Sequence, residues 1–398
     1  MNQQTLFLLL FYIFLYIVVS AICFYLLNSR RRISSLWLIG ILLLLALVVG
    51  LGDMLGGYDR YIYCDLFDSN ADRIRAGGPF LNPESPLMGY SKEMLYVIWN
   101  CLVAYITPNR YIYILITTLF VYTLLFYSLR DIFKKYPISI LIFMGLWFFF
   151  TFTYLRQVMA ASCAWLSYRY VIQKKFIPFL ILWFVAYKFH NSAVIFFIFY
   201  FLPERKWKKS TIITVLVFFF IIGASGAPMS VYNLYDDALD AQRASSYAVD
   251  YAVIRIDYVL EVIVMMYLIL SRYDEIPEDR EHIVFLNAAL MFCIILLTFL
   301  HSSNAGRQSW YYMLGIIYIL SFLSSRRKLI DNYTKGVYIL VTVLYLRIVF
   351  GWGVLLSPYK SFLTNGHRDS DPIYFLFEYD NRYDTDKFYR APFDIYIP

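Results

Sequence analysis

Charge is scarce in this chain. Only 16% of its 398 residues are Asp, Glu, Lys or Arg, against 61% hydrophobic. A water-soluble globule of that length needs a polar surface that this composition cannot supply. Cysteine is sparse too. There are five, with no C-x-x-C spacing, and Cys23, Cys101, Cys163 and Cys293 lie inside apolar runs. Neither a zinc site nor a disulfide framework is expected. None of the four histidines pairs with an acid in a short motif, which argues against a membrane acyltransferase acting on glycans. Gly56-Gly57 and Gly77-Gly78 lack any phosphate-loop pattern and read as turns. No internal repeat is visible, whereas a transporter or flippase built from paired halves would show one. Residues 1–29 contain no Lys, no Arg and no small-residue cleavage site, so they read as a retained first span.

What the chain does have is apolar runs of bilayer length, and a mean hydropathy of +0.59. They predict an all-α polytopic integral membrane protein, a single membrane domain over residues 1–398 with about 12–13 hydrophobic helices. The first two spans lie within 5–51, and a polar outer loop covers 53–92. Central helices fill 111–225, and a second outer loop covers 226–255. C-terminal spans occupy 256–354, and 355–398 is a polar tail. The segment 93–106 is short for a span and reads as re-entrant or interfacial. Basic turns at 30–32, 130–135, 174–175, 205–209 and 326–328 orient the chain with those turns in the cytoplasm. The net charge of +7 follows mostly from these turns and is no sign of nucleic acid.

The residues that look chemical then gather on the non-cytoplasmic side. Residues 156–170 make one helix about 22 Å long. Lys174 and Lys175 mark a turn, and 176–189 returns. Arg156, Gln157 and His190 therefore meet at one membrane face. Ionisable residues at such depths are functional candidates by default. Asp53, Asp59, Glu93 and Asp257 are the carboxylates nearest that face, and Asp257 and Glu261 lie one helical turn apart. A structural pairing of Asp257 with Arg255 is the plain alternative, as is a snorkelling role for Arg156. His301 reads as interfacial; His282 and His367 are not candidates. Two D-x-D strings, at Asp369 and Asp371 and at Asp384 and Asp386, belong to an acidic tail and do not make a metal site.

The order of motifs resembles the EpsG-like branch of the Wzy-type polysaccharide polymerases. Y-D-x-x-Y is Tyr58, Asp59 and Tyr61. L-R-Q-x-x-A-A is Leu155, Arg156, Gln157, Ala160 and Ala161. F-H-x-S-A is Phe189, His190, Ser192 and Ala193, and R-x-x-x-Y-Y is Arg307, Tyr311 and Tyr312. The resemblance covers about residues 50–325. It implies a GT-C-like glycosyltransferase that joins oligosaccharide repeat units carried on undecaprenyl diphosphate at the outer face of the cytoplasmic (inner) membrane. Donor and acceptor would both be lipid-linked. A chain-length regulator is a candidate partner, and no cofactor or metal is implied. The catalytic candidates are Arg156, His190 and Asp59; Gln157, Arg307, Tyr311, Arg255 and Asp257 are the substrate-binding candidates. Guanidinium groups suit the task, because forked, charge-assisted hydrogen bonds hold a diphosphate as its charge grows. A glycan ligase of the same fold remains open.

Overall fold

Apolar runs separated by polar turns become helices because lipid offers no partner for an unpaired backbone amide. The computed structural model describes residues 9–29, 33–52, 59–228, 254–302, 305–326, 331–356, 361–363 and 390–397. Arg30 to Arg32, Asp53, Gly56-Gly57, Tyr58, most of the second polar loop, residues 327–328, His367 and both D-x-D strings lie outside them.

The helices in order are α1 (Leu10–Ser29), α2 (Ser35–Gly50), α3 (Arg60–Arg75), α4 (Pro86–Tyr90), α5 (Met94–Ile106), α6 (Arg110–Lys135), α7 (Ile138–Leu146), α8 (Leu155–Ile172), α9 (Phe176–Phe189), α10 (Lys209–Ala224), α11 (Ile256–Ser271), α12 (Arg280–Thr298), α13 (Met313–Ser324) and α14 (Asn332–Gly351), with a short turn of helix at Gly353–Leu356. Tight 3-10 segments occur at Phe148–Phe152, Asn191–Phe201 and Ala305–Tyr312. No strand is present among the described residues. Among the described residues four helices are long and apolar enough to cross a membrane: windows within Leu10–Leu27, Arg110–Lys135, Arg280–Thr298 and Asn332–Gly351. Large apolar side chains such as Leu36, Ile221, Leu260 and Tyr267 are exposed on other helices, where lipid is their natural solvent. The protein is an all-α, multi-pass membrane protein.

The chain divides into two compact units. The first comprises Met1–Leu166, Phe184–Asn191 and Tyr338–Pro398; the second comprises Ser167–Trp183 and Ser192–Val337. In the first unit, α2 and α6 run antiparallel. Ile33 N–H donates to the Lys134 carbonyl at one end (3.4 Å). At the other end Gly50 lets the helices close: a Cβ there would lie 3.0 Å from Leu115. Gly145 of α7 likewise meets Val341 of α14, where an added Cβ would come within 2.7 Å. In the second unit Gly315 of α13 packs on the backbone of α12, 2.3 Å from the Ala289 nitrogen by the same measure. Small residues at crossings are the usual way for membrane helices to approach.

The first polar loop is not irregular throughout. Tyr63, Cys64, Phe67, Ala71 and Ile74 of α3 are buried at helical spacing, while Asp65, Ser69 and Asp72 form an exposed face. The helix is too polar to span and lies against α5 and α6. Its first residue, Arg60, is wholly buried. It donates to the Phe152 (3.1 Å), Gly52 (3.0 Å) and Val49 (2.8 Å) carbonyls, so it caps carbonyls that end α2 and the 3-10 segment. The C-terminal residues dock on the same unit. Tyr396 N–H donates to the Tyr105 carbonyl (2.8 Å), Arg390 pairs with Asp72 (2.7 Å) and Arg75 with Asp394 (2.7 Å).

Candidate functional site

Arg156 is the second residue of α8, where one turn of helix has no internal acceptor to offer its side chain, and it is 7% exposed. Its guanidinium finds partners from the α4–α5 connection. Nη1 donates to Glu93 Oε2 at 2.7 Å and, more weakly, to Ser91 Oγ at 3.4 Å; Nε donates to the Tyr63 hydroxyl at 3.3 Å. Ser91 Oγ donates to Glu93 Oε2 at 2.7 Å and accepts the Glu93 N–H at 3.3 Å, which fixes the carboxylate. Ser91 and Glu93 cap the facing ends of α4 and α5 in extended conformation, so the chain turns and points both side chains inward. The rings of Tyr90, Tyr63 and Tyr96 close over the guanidinium carbon at 4.8, 5.7 and 5.9 Å. Nη2 has no hydrogen-bond partner among the described residues. The result is a dry, pre-oriented cation with half its fork committed and half open.

Asp59 precedes α3, and its N–H donates to Thr153 Oγ1 at 2.7 Å, just ahead of α8. Its carbonyl accepts the Tyr63 N–H at 3.0 Å, and its charge, like that of Arg156, acts on the Tyr63 phenol. Burial pushes that phenol well above its usual range and the Arg156 guanidinium only partly offsets it, so Tyr63 stays neutral. Gln157 is buried in the same unit. His190 is the residue after α9, half-buried, its N–H on the Ala186 carbonyl at 2.9 Å. It belongs to the same unit as Arg156, and Arg156 makes no hydrogen bond to it.

The other candidates form a cluster in the second unit. Arg255 grips Asp257 with both ends of its fork (3.0 and 2.9 Å) and lies over the Tyr258 ring at 5.1 Å. The charges of Glu261 and Arg307 also reach Tyr258. Gly306 makes room for that ring, since a Cβ there would come within 2.4 Å of the Tyr258 hydroxyl oxygen. Tyr311 is wholly buried. Its hydroxyl is 2.7 Å from Ser192 Oγ, and its carbonyl accepts from the Tyr168 hydroxyl at 3.0 Å. The F-H-x-S-A and R-x-x-x-Y-Y motifs are thus tied together through Ser192 and Tyr311. His301 Nε2 lies 3.2 Å from the Ala224 carbonyl. His282 Nδ1 lies 2.6 Å from Asp279, which corrects the expectation that no histidine pairs with a nearby acid: the two stand three residues apart at the start of α12. Among the described residues no group of three or more His, Cys, Asp or Glu side chains could hold a metal ion.

A family model described as the EpsG family matches residues 37–363. The chain belongs to the EpsG family. No curated protein and no solved structure matches it. The EpsG match contains both clusters and leaves out all of α1 and the docked residues 390–397. The EpsG family is associated with polysaccharide biosynthesis. Sequence reasoning singled out Arg156 and counted Glu93 only as one carboxylate among several. It passed over Tyr63, Tyr90, Ser91 and Tyr96. The available signal was an acid opening one apolar run, 93–106, and an arginine opening another: two charges at bilayer entrances require each other.

Proposed function

We propose that the protein is a membrane glycosyltransferase that polymerises polyprenyl-diphosphate-linked oligosaccharide repeat units at the outer face of the cytoplasmic membrane. The observation that carries the reading is the buried Arg156 with its open Nη2. Glu93, Ser91 and Tyr63 hold the guanidinium in one orientation, so little ordering cost remains when a phosphate oxygen meets Nη2. In this dry site a fixed cation stabilises the diphosphate leaving group as the anomeric C–O bond breaks. The acceptor hydroxyl oxygen forms the new glycosidic bond, and its proton must pass to a base. Asp59, beside Tyr63, is the candidate base of the first unit; Arg255, Asp257 and Arg307 are candidates for holding sugar or phosphate. His190 and Gln157 serve as hydrogen-bonding groups for the donor. The fold expected for this activity is GT-C-like, and no metal is required.

Purified protein given a synthetic polyprenyl-diphosphate oligosaccharide, with no energy source, should lengthen it into a ladder. A single capped product would point to a ligase. Movement of intact substrate across vesicles without extension would point to transport, and either outcome contradicts the proposal.

A further inference from the structure

Between α10 and α12 of the second unit lies an apolar cavity of about 170 Å³. Ile212, Val215 and Leu216 line it from the first two turns of α10, and Leu290, Met291 and Ile294 from the middle of α12. The two helices run parallel, since Gly223 meets Leu297 near their far ends. Trp207 closes the end towards the turn that precedes α10. A cavity of this size lined by hydrocarbon excludes water and accepts hydrocarbon.

The turn above it is basic: Arg205, Lys206, Lys208 and Lys209. Two of the four are committed. Lys206 Nζ donates to the Ile276 carbonyl at 2.6 Å, and Lys209 pairs with Asp274 at 2.7 Å. The neighbouring acid, Glu204, pairs with Lys174 at 2.8 Å and with Arg280. Arg205 and Lys208 are exposed, and neither pairs with a carboxylate among the described residues. Arg205 stacks on the Trp207 indole with its guanidinium carbon 4.3 Å from the ring centre. Two available cations and an interfacial tryptophan therefore stand over a hydrocarbon slot that enters the membrane within the first turns of α10.

We propose that this groove is a binding site for an anionic phospholipid, with one acyl chain in the slot and the phosphate on Arg205 and Lys208. Opposite charge at the headgroup level and an apolar slot beneath are the two halves of such a ligand. None of its residues is shared with the Arg156 pocket, and the proposal does not depend on the polymerase reading.

The test uses the full-length protein in nanodiscs with brominated acyl-chain lipids, which quench a tryptophan they touch. The Trp207 share is the difference between wild type and Trp207→Phe. Brominated phosphatidylglycerol should quench that share several-fold more than brominated phosphatidylcholine. Arg205→Gln with Lys208→Gln should remove the preference, and Leu290→Trp, which fills the slot, should remove the quenching from Trp207. Equal quenching by the two lipids would overturn the proposal. So would displacement of the phosphatidylglycerol by an equimolar polyprenyl phosphate, which would make the slot a polyprenyl site. Unfolding temperatures of the variants within a few degrees of wild type keep the comparison valid.

Discussion

At the scale of single residues, Arg156 and Glu93 are a buried ion pair, and removing one member strands the other. Arg156→Ala alone should destabilise the protein by about 3–5 kcal/mol, because Glu93 then keeps its charge in a dry pocket. Arg156→Ala combined with Glu93→Ala should recover most of that loss while polymer stays absent. Thermal unfolding in detergent, read beside the polymer assay, separates the two effects. Failure of the double variant to recover stability would mean that Glu93 is not held by Arg156. Arg156 itself was legible in the sequence, because an arginine opening an apolar run is conspicuous. Its acid was not, because Glu93 stands 63 positions away, with α5, α6 and α7 in between. The tyrosines around it were hidden for another reason: with 38 tyrosines in the chain, three at one cation do not stand out. Tyr311 shows a similar case. Nothing in the sequence pairs it with Ser192, 119 positions away, yet the two hydroxyls lie 2.7 Å apart, with Tyr311 wholly buried.

At the scale of elements, helix crossings depend on backbone approach at particular glycines. Gly315→Ala should lower stability by about 1–3 kcal/mol, since the new methyl meets the α12 backbone. Gly40→Ala, with nothing within 4 Å of the added atom, should be neutral or stabilising by about 0.5–1 kcal/mol. Unfolding temperatures of the two variants should move in opposite directions or, at least, only the first should fall. The turn between α8 and α9 offers a third test. Lys174 has φ 57°, Lys174 N–H donates to Val171 (3.2 Å) and Lys175 N–H to Tyr170 (2.9 Å), a Schellman ending whose left-handed position favours glycine. Arg280 also donates to the Ile172 carbonyl at 2.7 Å, so the end of α8 is doubly held. Lys174→Gly should raise stability by up to about 1 kcal/mol, because the exposed ion pair with Glu204 that it loses is worth little. The apolar runs and their basic turns were readable from hydrophobicity. Helix α3 was not, because its run of Asp and Arg made 53–92 look like loop, and only the 3.6-residue spacing of its buried face marks it. The 3-10 segments at Phe148–Phe152 and Asn191–Phe201 were equally unreadable, since nothing in an apolar run distinguishes a tight helix from an α-helix.

For the whole molecule, the polar turns around Glu204 bear on pH. Hydrogen bonds from Lys174 and then Arg280 hold the Glu204 carboxyl below its ordinary range, against a smaller opposing effect of burial. Lys209 does the same for Asp274. A depressed carboxylate contributes stability that is fully present above its unfolded value and is lost as pH falls through the folded one. Unfolding temperature should therefore hold steady from neutral pH down to the ordinary carboxylate range and fall below it. Glu204→Gln should flatten part of that fall; an unchanged profile would remove Glu204 from the account.

The central claim is that the open edge of the Arg156 guanidinium binds the lipid diphosphate. Arg156→Lys tests it most directly, because lysine keeps a charge for Glu93 but loses the fork. The measurement is the rate and length distribution of polymer made by purified wild-type and variant protein from the same polyprenyl-diphosphate oligosaccharide. A fall in rate on the order of 10–100-fold, with folding intact, is the predicted result. Wild-type rate and wild-type chain lengths from Arg156→Lys would contradict the account.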